Sequence, residues 1–285
     1  MTHPVMTQGR VALVTGGAGG IGLAAARAFA QSGMRVAIVD ADADKIAAAE
    51  AALREAAREP GDVLARVLDV TRPADLDALA QEVGRRFGGV DLLMANAGIQ
   101  PGSALFGDRA AWERVLAVNL WGVIDTVRAF APAMIAGGRD GLIVVTGSKQ
   151  GITTPPGDPA YNISKAGVKV FAEQLAHELR RTPGCRIGAH LLVPGFVFTD
   201  LTARGRTEKP AGAWTPEETV AFMIERIAAG DFYVLCPDNE VDRALDEKRI
   251  AWAAGDIVEN RPALSRWHPD YEAAFADFLR GDGTG

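Results

Sequence analysis

Short runs of nearly unbroken apolar residues alternate along this chain with longer stretches whose apolar positions return every three or four residues. Segments 11–14, 36–39, 64–68, 92–95, 142–146, 187–193 and 232–235 read as seven strands. Segments 21–31, 45–58, 74–87, 110–135, 160–181 and 216–229 read as helices. Strands separated by helices of this length imply βαβ units and a parallel sheet. Strands that are apolar at almost every position imply helices on both faces. The pattern therefore predicts an α/β, doubly wound, seven-stranded parallel sheet. No Ser/Gly/Pro-rich linker interrupts it, so residues 1–237 are expected to form one domain, with an irregular loop at about 199–215.

Residues 238–285 depart from the alternation. Val241, Leu245 and Trp252 sit on an expected helix, and Tyr271, Phe275, Phe278 and Leu279 recur at helical spacing. This helical extension is expected to pack on the same domain or on a neighbouring subunit. A lid over a cleft is the alternative reading.

Composition narrows the class. Of 285 residues 48% are hydrophobic and 23% charged, enough to fill a core and too apolar for a disordered chain. A net charge of −6 argues against a grip on nucleic acid or an anionic membrane. No run approaches the roughly 18 apolar residues of a membrane span. The start of the chain has no basic-then-apolar leader, so a cytoplasmic protein is expected. Cys185 and Cys236 are too few for a disulfide framework, and His3, His177, His190 and His268 have no ligand spacing, so no metal is expected.

Glycines cluster where the first strand meets the first helix, in Thr15-Gly16-Gly17-Ala18-Gly19-Gly20-Ile21-Gly22. Such a turn brings bare backbone against a ligand, and the free N–H groups and dipole of the following helix suit a pyrophosphate. Asp40 ends the second strand, eighteen positions after Gly22. A carboxylate there hydrogen-bonds adenosine ribose hydroxyls and repels a 2′-phosphate. The next residue is Ala41, and Asp42 and Asp44 add negative charge, so NAD(H) is expected over NADP(H).

Tyr161 and Lys165 share a helix face at i and i+4. A nearby ammonium favours the phenolate. Lowering a phenol from ~10 to about 7 requires about 4 kcal/mol of differential stabilisation. Ser148 follows the fifth strand, thirteen residues before Tyr161, at the sheet edge where ligands bind. Asn96-Ala97-Gly98 follows the fourth strand at the same edge, and Asn119 lies in the helical region beyond.

With Asp69-Val70 and Pro194-Gly195 plus Thr199, these motifs occur in order over roughly residues 10–200. Together they resemble the short-chain dehydrogenase/reductase family, in its classical NAD(P)(H)-dependent group. The resemblance implies a Rossmann dinucleotide-binding and catalytic domain over 1–237, with 199–215 as a loop over substrate. It implies that Gly16, Gly20 and Gly22 accept the pyrophosphate beside Ala18 and Ile21. Asp69 and Val70 would border the adenine, and Asn96, Ala97, Gly98 and Lys165 the nicotinamide-side ribose. Pro194, Gly195, Val197 and Thr199 would hold the nicotinamide.

The expected activity is NAD-dependent, reversible hydride transfer between the cofactor and an alcohol or ketone. Tyr161 would be the general acid/base, Ser148 the hydrogen-bond donor to the reacting oxygen, and Lys165 the group that lowers the Tyr161 pKa. Asn119 would hold a water in a proton relay. Gln150 would touch substrate with Ser148 and Tyr161, near Ile152, Thr153, Pro155 and Pro156; with the aromatic tail these suggest a moderately apolar secondary alcohol. An NADP-linked carbonyl reductase and a non-catalytic dinucleotide-binding protein are the alternatives. Family members are usually homodimers or homotetramers, and the same is expected here.

Overall fold

The computed structural model describes residues 3–203 and 205–281; position 204 of the expected loop and positions 282–285 of the expected extension lie outside the described residues. In chain order the elements are β1 (Val11–Thr15), α1 (Gly20–Gln31), β2 (Arg35–Asp40), α2 (Ala43–Ala56), β3 (Val63–Val67), α3 (Pro73–Phe87), β4 (Leu92–Ala95), α4 (Arg109–Leu116) and α5 (Gly122–Ala136). There follow β5 (Gly141–Thr146), α6 (Gln150–Thr153), α7 (Pro159–Arg181), β6 (Ile187–Val193), α8 (Asp200–Ala203), α9 (Pro216–Ala228), β7 (Tyr233–Leu235), α10 (Arg243–Val258) and α11 (Glu272–Arg280). All seven strands pair in parallel in the order β3-β2-β1-β4-β5-β6-β7, the Rossmann arrangement.

Strand alternation divides the core in two. Ala12 and Val14 of β1 face one side with Phe29 of α1, Leu53 of α2 and Met223 of α9. Val11 and Leu13 face the other with Leu76 of α3, Phe130 of α5 and Val168 of α7. Both faces are covered, which is why the strands read as continuous apolar runs. The order reverses between β1 and β4, and the chain leaves these two strands in opposite directions. That divergence opens a crevice at their C-terminal ends.

Three local features differ from the expected pattern. The region expected as one helix over 110–135 runs from Arg109 to Ala136 with a wide π turn, Ala117–Trp121, inserted between α4 and α5. By length and composition this helical stretch could cross a membrane, although it carries no run of 18 unbroken apolar residues; its Val123, Val127, Phe130 and Met134 are buried in the core. The stretch after Ser148 forms the single turn α6, and the loop at 199–215 contains α8. Neither is long enough to show a period in sequence.

The extension folds largely on itself. Trp252 of α10 is buried, with Phe275 and Phe278 each 5.2 Å away between ring centroids and the Arg261 guanidinium 4.0 Å over its ring. Its indole N–H donates to Ser265 Oγ at 2.8 Å, and Asp256 pairs with Arg261. These rings fill one another's surface, and α10 rests on α6.

At the opposite sheet edge Asp91 is 3% exposed and joins three segments. Its carboxylate accepts from Val11 N (2.9 Å) and pairs with Arg10 (3.0 Å) and Arg139 (3.1 Å). Asp91→Ala removes charge-assisted bonds worth about 1.5–3 kcal/mol. A loss in that range is expected in urea unfolding, with dinucleotide affinity unchanged because the crevice is at the other end of the strands.

Candidate active site

The turn between β1 and α1 works by close backbone approach. Gly16 has φ +63° and Gly20 φ +50°, a region that side chains disfavour. A Cβ on Gly16 would lie 2.9 Å from Ala97 Cα, and one on Gly22 2.1 Å from the Gly16 carbonyl oxygen. Asn96 pins this turn: its Nδ2 donates to Thr15 O (3.2 Å) and Gly16 O (3.3 Å). Its Oδ1 accepts from Thr146 Oγ1 at 3.1 Å. Asp40 Oδ2 accepts from Ala18 N (3.3 Å) and Oδ1 from Asp42 N (3.2 Å), so the carboxylate is fixed at the rim. The cap of α2 is Asp42, which accepts from Lys45 N.

A cleft of about 710 Å³ runs along the strand ends. Gly16, Gly20, Ile21 and Asp40 line one end; Asn96, Ala97 and Gly98 line the middle; Ser148, Gln150, Tyr161 and Lys165 line the other end with Pro194, Gly195, Val197 and Thr199. The volume falls within the range of roughly 300–1,000 Å³ common to ligand sites. The bare glycine turn, the N-terminus of the twelve-residue α1 and the carboxylate at the rim fit a dinucleotide.

Five expected residues do not line this cleft. Ala18 and Gly22 are buried in the turn and act by closing it. Asp69 is exposed, with Oδ1 accepting from Thr71 N, and Val70 is buried where it would meet a Cβ on Gly122. Asn119 is buried in the π turn. Its Oδ1 accepts from Ile99 N (2.8 Å), and its Nδ2 donates to Ile99 O (2.9 Å) and Ser164 Oγ (3.2 Å). Its amide thus holds the chain just past Gly98. Ile152, Thr153, Pro155 and Pro156 do not line the cleft either; Ile152 packs against the core.

The reacting groups are almost enclosed, with Tyr161 7% and Lys165 4% exposed. Ser148 lines the cleft with Tyr161, and its Oγ accepts from Gln150 N at 3.2 Å. The electrostatics correct the sequence expectation. Burial pushes the Tyr161 phenol up to about 12; the Ser148 hydrogen bond opposes this, and the charge of Asp158 adds to it. Lys165 Nζ donates to Thr146 O at 2.9 Å and stands 5.8 Å from the phenol ring centroid. Burial lowers Lys165 itself to about 8. Desolvation disfavours both charged forms, so it opposes the phenolate–ammonium pair that spacing alone suggested.

Several lining residues were not marked in the sequence. Gln100 faces Gln150 with 3.5 Å between their amides, and Lys45 of α2 pairs with Asp200 of α8 at 2.7 Å, bridging the rim to the loop. Gly151 matters by contact rather than chemistry. A Cβ there would lie 2.4 Å from Lys165 C, so only glycine seats α6 flush on α7. No local signal reveals that contact, because its partner is fourteen residues away.

A family model described as short chain dehydrogenase matches residues 10–210. A 3-oxoacyl-(acyl-carrier-protein) reductase of Thermotoga maritima is 33% identical over 226 residues, 79% of this chain and 85% of that protein. A galactitol 2-dehydrogenase (L-tagatose-forming) of Cereibacter sphaeroides is 39% identical over 207 residues, 71% of this chain and 76% of that protein. The crystal structure of a short chain dehydrogenase/reductase from Burkholderia phymatum in complex with NAD has a TM-score of 0.80 at 30% identity, covering 90% of this chain and 96% of that one.

The Lys165 shift fixes a pH dependence. Below about pH 8 folded and unfolded chains both hold the proton, and the folded form carries the full penalty of a buried ammonium. Between about 8 and the ordinary lysine value of 10.5 only the folded form has lost it, so stability from this group rises with pH. Tyr161 acts oppositely, and its contribution falls from its ordinary 10.0 towards about 12. The stability of the cofactor-free protein minus that of Lys165→Met is therefore expected to rise between about pH 8 and 10.5. Thermal melts across that window measure it, and a flat difference would show that the lysine is not buried as a cation.

Proposed function

This chain belongs to the short-chain dehydrogenase family, and on that premise we propose that it is an NAD-dependent oxidoreductase interconverting an alcohol and a ketone, with Tyr161 as general acid/base. The observation that carries the reading is the meeting of the buried Tyr161 and Lys165 with Ser148 in one cleft that also holds the glycine turn. The dinucleotide, when bound, supplies the hydride acceptor or donor.

The chain's own residues handle the oxygen. In reduction the Tyr161 phenol, kept protonated by burial, gives its proton to the carbonyl oxygen. The Ser148 hydroxyl donates to the same oxygen and stabilises the developing charge. In oxidation Tyr161 takes the alcohol proton, which requires positive charge near the phenol. Lys165 supplies it by turning its ammonium from Thr146 O towards the hydroxyl. Gly16 and Gly20 would hold the pyrophosphate, Asn96, Ala97, Gly98 and Lys165 the adjacent ribose, and Pro194, Gly195, Val197 and Thr199 the nicotinamide. Asp40 would accept from the adenosine ribose hydroxyls, which favours NAD over NADP; the Burkholderia phymatum structure binds NAD.

The substrate reading changes with the tertiary structure. The aromatic tail and the two prolines that suggested an apolar substrate do not line the cleft, and the tail's rings pack on one another. Beside Ser148 the wall combines Phe196 and Leu201 with Gln100 and Gln150, which suits a secondary alcohol or ketone bearing a polar substituent. The similarity to a galactitol 2-dehydrogenase, named for a polyol, agrees with that. Ile163 and Val170, two turns apart on α7, are exposed along with Trp121 and Tyr233, a surface suited to a homodimer or homotetramer.

Tyr161→Phe is expected to bind NADH as the wild type does and to lose about 10²–10⁴ in kcat on any alcohol or ketone the wild type turns over. A variant retaining most turnover would falsify the assignment. Asp40→Ser removes the carboxylate that repels a 2′-phosphate, and like-charge juxtaposition costs several kcal/mol. The ratio of kcat/KM for NADP to that for NAD is therefore expected to rise at least about tenfold, about 1.4 kcal/mol. An unchanged ratio, or a wild type already favouring NADP, removes Asp40 as the selector.

A further inference from the structure

Lys149 follows Ser148 in the chain, and its ammonium reaches a buried ionic site. Its Nζ lies 2.6 Å from Asp246 of α10 and 3.4 Å from Asp238, the first residue of the extension. The three side chains are only 18%, 6% and 7% exposed. Asp238 is tied further: Oδ2 accepts from Phe196 N (3.1 Å), and Oδ1 from Glu240 N (3.1 Å) and Val241 N (2.8 Å). Gly195 leaves room for this, since a Cβ there would lie 2.7 Å from Asp238 Oδ2 and 3.1 Å from Lys149 Nζ. Among the described residues, Lys149 is the only cation within ion-pair distance of Asp246.

One ammonium therefore joins the C-terminal extension to two segments that border the cleft, the Ser148 turn and the Gly195–Phe196 wall. Stability does not call for this. Removing such charges from water costs several kcal/mol each, and apolar residues of the same volume commonly do as well. A buried ion triad does impose one register on the segments it joins, because any other leaves a charge unpaired. Lys149 also moves with Ser148: its carbonyl accepts from Ile152 N and Thr153 N, and the Ser148 carbonyl accepts from Gly151 N. The turn is held between the backbone of α7 at Gly151 and the carboxylates of the extension.

We propose that Lys149 is a positioning residue and that the C-terminal extension, through Asp238 and Asp246, is a working part of the reaction centre that sets the place of the Ser148 hydroxyl against Tyr161. This rests on the oxidoreductase reading of the same site. The extension acts from behind the cleft as a brace, by contrast with a lid over its mouth.

The test compares wild type with Lys149→Met/Asp246→Leu, which removes the pair without stranding a buried carboxylate at Asp246. Lys149→Arg serves as the conservative variant, and Glu247→Gln breaks an exposed pair on the same helix as a control. The double variant is expected to keep its Tm within a few degrees and its NADH affinity, by fluorescence titration, within about twofold. Its kcat is expected to fall at least about tenfold, roughly 1.4 kcal/mol of barrier. Lys149→Arg is expected to retain most of the turnover, and Glu247→Gln all of it. Hydrogen exchange reads the brace without turnover: amides of 150–153 are expected to exchange at least tenfold faster in the double variant, with β5 unchanged. Equal kcat, or unchanged exchange at 150–153, overturns the proposal. A wild type with no dinucleotide-dependent turnover would instead fault the oxidoreductase reading, and the exchange measurement would still decide on the brace.

Discussion

A single side-chain amide connects the two ends of the cleft. Asn96 donates to the carbonyls of Thr15 and Gly16, accepts from the Thr146 hydroxyl, and so holds the last residues of β1, β4 and β5 at fixed separation. The Thr146 carbonyl then receives the Lys165 ammonium. This chain of bonds runs from the glycine turn to Lys165 without leaving the protein, and it lies where the strand order reverses. Dinucleotide and substrate must meet within about 3–3.5 Å for their atoms to react. The amide fixes the distance between the two half-sites that would hold them.

Enclosure supplies the second constraint. It raises the phenol and lowers the amine to about 8, so below that pH the cofactor-free centre holds a neutral phenol beside a buried ammonium. Water exclusion is also what lets a hydroxyl such as Ser148 act strongly on a developing oxyanion. The same burial thus restrains the phenol and strengthens the groups that assist it.

The extension shows how a segment outside the repeating βα pattern can be tied to chemistry. Its aromatic cluster around Trp252 makes it a folded unit, while Asp238 and Asp246 attach that unit behind the Ser148 turn.

Much of this was written in local order along the chain. Apolar runs and helical spacing determined the seven strands, their parallel pairing and the covered faces, because period and burial are set residue by residue. That the glycine turn, Asp40, Ser148, Tyr161 and Lys165 would meet at one end of the sheet was legible for the same reason, because each lies at or within two turns of an element boundary on the side where the strands end. The tertiary structure alone decided what those groups experience. It placed Asn119 behind the cleft with its amide committed to Ile99, turned Asp69 outward, made Gly151 a contact point, directed the Lys165 ammonium to a carbonyl, and set Lys149 between two carboxylates about ninety residues further on. Desolvation and ion pairing depend on which distant segments meet, and spacing along a chain carries no measure of that.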